Sequence, residues 1–125
     1  MTLEELKSKM KKFEDAHVIF LAGKGYLIWR YDTGNTVQIC DIEVYKKRQG
    51  IGRHLLWMMI QEFKDEDVNG IYGFTAEKNK VAQKFYKAVG FTLSDMIDNL
   101  YKRGAYLFTI SYKEAKKIWK NLENI

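Results

Sequence analysis

The chain has no proline, a single cysteine and two histidines. Each shortage excludes something. Without proline, turns and helix ends must be written in Gly, Asn and Asp. The lone Cys40 cannot form an internal disulfide and fits a reducing cytoplasm. His17 and His54 form no ligand cluster with it, so no metal is expected. A spanning helix needs about 20 consecutive apolar residues, and no run approaches that length. Nothing resembles a signal peptide, so a cytoplasmic protein that does not enter a membrane is expected. Repeats, low-complexity tracts and linkers are also lacking.

What is present fits one packed domain over residues 1–125. Hydrophobic residues make up 46% and aromatics 14% of the chain, a composition that can bury one sizeable core. The net charge of +5 suits an anionic ligand or an acidic partner, and is too mild by itself to argue for nucleic acid.

Periodicity orders the elements. Thr2 and Glu5 have capping-box spacing ahead of a helix with Leu3, Leu6, Met10 and Phe13 on one face. Residues 17–22 and 25–31 read as strands, Asp32-Thr33-Gly34-Asn35 as a hairpin turn, and Thr36 to Val44 as the returning strand. A helix follows with Leu55, Leu56, Met59, Ile60 and Phe63 buried, then a strand over 70–75. A helix over 79–89 is expected to turn Val81, Ala82, Phe85, Ala88 and Val89 inward, with Gly90 capping it. Two strands (92–95 and 105–112) and a last helix (113–124) with Ala115, Ile118, Trp119 and Leu122 complete the order. This is an α/β pattern with a βαβαβ centre whose middle strands should run parallel.

Between the strand ending at Val44 and the next helix lies Lys47-Arg48-Gln49-Gly50-Ile51-Gly52-Arg53. The first N–H groups of a helix have no partner within it, and the helix dipole favours an anion there. Gly50 and Gly52 leave room for a ligand to approach the backbone. The loop therefore reads as a phosphate or pyrophosphate cradle, against the plainer reading of a turn before a helix. One strand and one helix later stands Asn79-x-x-Ala82-x-x-x-Tyr86-x-x-x-Gly90-Phe91.

With Ile42-x-Val44, Lys47-x-x-Gly50-x-Gly52 and this second motif, residues 36–91 resemble the GNAT superfamily of N-acetyltransferases. Lys47 stands where Gln or Arg is usual, and one N-terminal helix stands where many members have two. The resemblance implies a central mixed β-sheet flanked by helices, acetyl-coenzyme A as co-substrate and an amine acceptor. Backbone groups from Gln49 to Arg53, with Arg48 beside them, would hold the pyrophosphate. The strand end Ile42, Glu43 and Val44 would pair with the pantetheine arm. Asn79 would bind that arm or fix the loop next to it, and Tyr86 would protonate the leaving thiolate. A phenol of pKa about 10 can serve a thiol of about 8.5. Tyr86 as a plain core aromatic is the competing reading.

An alkyl ammonium must lose a proton before it attacks. Glu43 and Asp41, on the strand that meets the thioester, are the candidate bases, with Glu77 a third; a solvated or salt-bridged carboxylate is the bland reading for each. Cys40 reads as a small buried hydrophobe in preference to an acylated thiol. Trp119 and Ile118 read as packing residues; an exposed Trp119 would instead make a homodimer contact. Two other classes stand behind the enzyme: an acyl-coenzyme A-binding sensor without turnover, and a small basic nucleic-acid-binding domain, ranked last.

Overall fold

A computed structural model describes residues 2–45, 50–63, 67–97 and 104–119, the side chains of 95–97 excepted. Four helices and six strands follow one another as α1 (Leu3–Met10), β1 (His17–Leu21), β2 (Gly25–Asp32), β3 (Thr36–Val44), α2 (Ile51–Gln61), β4 (Gly70–Ala76), α3 (Lys80–Ala88), β5 (Thr92–Ile97), β6 (Ala105–Ser111) and α4 (Tyr112–Trp119). The capping box is present, with Thr2 accepting from the Glu5 amide and Glu5 reaching back to Thr2. The strands form one mixed sheet in the order β1-β2-β3-β4-β6-β5.

Among the described residues, only β3 and β4 are adjacent parallel strands. The expected βαβαβ run is therefore realised with an insertion. β6 lies between β4 and β5 and pairs antiparallel with both. β5 leaves α3 toward the sheet edge, and β6 returns beside β4.

Two apolar clusters flank the sheet. Leu55, Leu56 and Met59 of α2, Tyr86 and Val89 of α3, and Ala115 and Trp119 of α4 pack with Leu27, Val37, Ile71 and Phe108 on one face. Leu6 of α1 packs with Tyr26 and Ile28 on the other. All five residues expected to be buried on or just after α2 are buried. The inward face of α3 differs from the expectation. Val81 is 60% exposed and Ala88 is also exposed, while Gln83 and Tyr86 are buried. Counting apolar residues misplaced the stripe, because a polar Gln83 and the ring of Tyr86 occupy core positions.

Trp119 is fully buried, and its indole N–H donates to the Val89 carbonyl at 2.9 Å. It fastens α4 to the end of α3, so the dimer contact conditioned on its exposure loses its premise. Leu122 lies outside the described residues. Among the described residues, no helix is long and apolar enough to cross a membrane, and no three metal-ligating side chains gather.

Candidate active site

The parallel ladder of β3 and β4 is short. It joins Thr36, Val37 and Gln38 to Gly70, Ile71 and Tyr72, and then stops. β3 continues to Val44 and β4 to Ala76 with no pairing between them. The parting has a local cause in β3. Ile28 of β2 faces Asp41 while Trp29 faces Ile39, so Cys40 is an extra, unpaired residue. Such a bulge bends its strand and sharpens its twist. Beyond it, the β3 backbone groups that point toward β4 have no strand partner.

A cleft of about 1030 Å³ fills the opening. One wall is β3 from Ile39 to Val44, including Asp41, Ile42 and Glu43. The other is Phe74, Thr75 and Ala76 of β4 with Asn79, Val81, Ala82, Lys84, Phe85 and Tyr86 at and along α3. Gly50, Ile51, Gly52 and Arg53 close one end.

That end can receive an anion. Gly50 is the N-cap of α2, in the left-handed region at φ 72°, and no side chain caps the helix. The N–H groups of Ile51, Gly52 and Arg53 are therefore left without intrahelical partners, at the positive end of the dipole. Arg53 and Lys84 add charge along the same cleft. Arg48 and Gln49, expected to join this cradle, lie outside the described residues. Gly52 has a further role that sequence reading did not assign. A Cβ there would come within 2.7 Å of the Phe85 ring, so the glycine also lets α2 approach α3.

The second motif resolves into the two ends of α3. Asn79 is the N-cap, and its Oδ1 accepts from the Ala82 amide at 3.0 Å. At the other end, the Phe91 amide donates to the Tyr86 carbonyl at 2.9 Å and the Gly90 amide to Lys87 at 3.2 Å, with Gly90 at φ 104°. This is a Schellman cap, with the Tyr86–Phe91 ring contact as its apolar partner. Gln83, missed from sequence, donates to the carbonyls of Ala76 and Glu77 at 3.2 and 3.0 Å. It fastens α3 to the end of β4, and so fixes that wall of the cleft.

Tyr86 both packs in the core and lines the cleft. Its ring stacks on Phe108 with centroids 3.6 Å apart, and its residue lines the cleft. Burial first, and the Asp41 charge second, hold its hydroxyl well above the usual phenol range. The group is therefore a neutral donor at physiological pH.

The two carboxylates lie on the opposite face, with α1. The Tyr26 hydroxyl points at Asp41 Oδ2 (2.7 Å), with Glu43 Oε2 at 3.1 Å as a second acceptor. Lys9 donates to the Tyr26 oxygen at 2.6 Å and pairs with Asp41 Oδ2 at 2.9 Å. Burial, then the Asp41 hydrogen bond, raises Tyr26 far above its ordinary range. This cluster was not legible in the sequence, since it joins α1, β2 and β3. Of the two carboxylates, Glu43 is the more exposed and has no ion-pair partner among the described residues. Glu77 is half-buried and does not line the cleft.

Four other residues take their places. Burial raises the Cys40 thiol, which is half-buried in the bulge, so it is not an activated nucleophile. His54 stacks on Trp57, and His17 on Trp29. Thr75 Oγ1, in the cleft wall, is buried with no protein partner.

The profile of the acetyltransferase (GNAT) family matches residues 10–91. No curated protein matches the chain in sequence. Solved structures share the fold. A Bacillus subtilis acetyltransferase in complex with CoA superposes with a TM-score of 0.67 at 16% identity, over 89% of this chain and 93% of that one. A GNAT family acetyltransferase from Elizabethkingia anophelis with acetyl-CoA bound gives 0.68 at 18% identity, over 88% and 83%. Arabidopsis thaliana Naa50, in complex with the bisubstrate analogue CoA-Ac-MVNAL, gives 0.57 at 26% identity, over 71% and 66%.

Proposed function

We propose that this chain, which belongs to the acetyltransferase (GNAT) family, moves an acetyl group from acetyl-CoA to a primary amine by direct attack on the thioester. The observation that carries the reading is the cleft between the parted strands. It has a strand edge without a partner along one wall, an uncapped helix N-terminus at one end, and a phenol and two carboxylates on opposite faces. Acetyl-CoA supplies an activated acyl group, and its diphosphate and extended amide-bearing arm match these features.

Each residue then has a task. The amides of Ile51, Gly52 and Arg53 receive the diphosphate, with Arg48 and Gln49 as further contributors. The β3 edge at Ile42, Glu43 and Val44 pairs with the arm, and a backbone N–H near the bulge polarises the carbonyl. Asn79, while capping α3, borders the same arm. Glu43 accepts the ammonium proton directly or through water. Asp41 is the alternative, but its Oδ2 already serves Lys9 and Tyr26. Tyr86, kept in its neutral form by burial, stands as the hydrogen-bond and proton donor to the departing sulfur.

The acceptor is a primary amine of a small molecule or of a peptide or protein. The bisubstrate analogue held by the Arabidopsis relative supports keeping peptides among the candidates. The test is thiol release from acetyl-CoA across a screen of polyamines, aminoglycosides, peptide N-termini and lysine peptides. Amine-dependent release is expected. Tight CoA binding with no release from any amine would favour a sensor without turnover.

A further inference from the structure

One ammonium group of the protein is already held at the back of the cleft wall. Lys9 Nζ lies 2.9 Å from Asp41 Oδ2, donates to the Tyr26 oxygen at 2.6 Å, and sits 5.2 Å from the centre of the Tyr26 ring. Asp41 itself lines the cleft. Among the described residues, the other ion pair is Lys7–Glu4, well exposed on α1, so Lys9 alone is paired with a carboxylate of the site. Its side chain is about one-third exposed (35%), which leaves it room to turn.

We propose that Lys9 is an acetyl acceptor, so that the protein acetylates itself at this residue. The inference rests on the acetyl-transfer reading above. Lys9 is a primary alkyl amine, the acceptor class the site is read to serve, on a flexible four-carbon stem, and the carboxylate it pairs with lines the cleft. A tethered reactant meets the site at high effective concentration without a binding step. A carboxylate that can take its proton is already in contact.

The step balances as follows. The Lys9 ammonium gives one proton to Asp41 or, through Tyr26, to Glu43. The freed nitrogen lone pair forms a C–N bond to the acetyl carbon, and the C–S bond breaks. The sulfur keeps the electron pair and takes the Tyr86 proton. The second nitrogen proton leaves as the amide forms and restores Tyr86 through solvent. The net products are Nε-acetyl-lysine, free CoA thiol and one proton. The amide is neutral, so the Lys9–Asp41 ion pair is lost with the reaction.

The experiment incubates the full chain with acetyl-CoA and maps the acetylated peptides by mass spectrometry over time. Lys9 should be acetylated ahead of exposed Lys7, at a first-order rate independent of protein concentration. Tyr86→Phe should slow acetylation at Lys9 about 10²-fold, the scale of a lost general acid, and leave any chemical acetylation of Lys7 unchanged. Lys9→Arg should abolish the modified peptide. Two results overturn the inference. One is acetylation spread over exposed lysines at equal rates in the parent and in Tyr86→Phe. The other is amine-dependent thiol release with Lys9 unmodified, which leaves the acetyl-transfer reading standing. Absence of transfer to Lys9 and to every added amine overturns both.

Discussion

Tyr86 shows how one side chain answers two demands. Its ring belongs to the core, stacked on Phe108 and set edge-on to Phe91, while the same residue lines the cleft. Removing only the hydroxyl separates the two. Tyr86→Phe should lower turnover roughly 10²-fold or more with little change in CoA affinity, as steady-state kinetics beside calorimetry will show. The same variant carries a pH signature. Burial raises the Tyr86 pKa in the folded state above the unfolded value of about 10. Its contribution is therefore fully present below pH about 10 and lost as pH rises through the folded value. Alkaline denaturation should begin near that pH in the parent and be shallower in Tyr86→Phe, with the buried Tyr26 adding a remainder of the same sign. The carboxylates are separable in the same way. If Glu43 is the base, Glu43→Gln should depress turnover most near neutral pH and recover at high pH, where free amine needs no help. Asp41→Asn should act differently, because it also releases Lys9 and Tyr26. Parent-like pH–rate profiles in both variants would send the proton by another route.

At the scale of elements, both ends of α3 explain a motif by backbone chemistry. Asn79 and Ala82 make the N-cap, and Tyr86, Gly90 and Phe91 make the Schellman cap. The spacing of that motif is thus the spacing of a helix with defined ends, and the acid role proposed for the Tyr86 hydroxyl would be an addition to that structural work. The α2–α3 contact makes a comparable point. Gly52→Ala would drive a methyl group into the Phe85 ring, and should cost about 1–3 kcal/mol, the usual range for overpacking. Adding Phe85→Leu should restore the denaturation midpoint. CoA affinity, measured by calorimetry, should stay reduced in the double variant, because the methyl group still crowds the α2 amides. Full recovery of affinity would mean that Gly52 acts only through packing.

For the whole molecule, the cleft exists because two parts of the sheet are held apart. α2, α3 and α4 pack one face and α1 the other, and the gap runs between β3 and β4 beyond their short ladder. α4 belongs to this frame through Trp119 and its bond to the Val89 carbonyl. Trp119→Ala should cost about 3–5 kcal/mol by cavity formation, with a further loss from the unpaired carbonyl. Thermal or denaturant unfolding checks this. A loss under 1 kcal/mol would mean that α4 is peripheral to the fold.

Much of this was written locally and could be read locally. The third strand runs from Thr36 to Val44 as its β-rich pattern indicates, and the hairpin turn, the Thr2–Glu5 box and the Gly90 cap stand where side-chain and backbone chemistry require them. These depend on residues within a few positions of one another. The GNAT resemblance, which the family match bears out, was read from two such local motifs in their order along residues 36–91. Contacts distant in sequence were decided only by the tertiary structure. β6 entered between β4 and β5, since the place of a returning strand depends on which edge it can pair with. The extra residue in β3 became visible only against its partner strand, because a bulge is a mismatch of two registers. The face of α3 was set by Phe108 stacking on Tyr86 and Phe91 meeting it edge-on, which helical spacing alone does not contain. Lys9, Tyr26, Asp41 and Glu43 met because α1 docks on β2 and β3 through Leu6, and burial of that apolar contact is what brings four polar groups to one point.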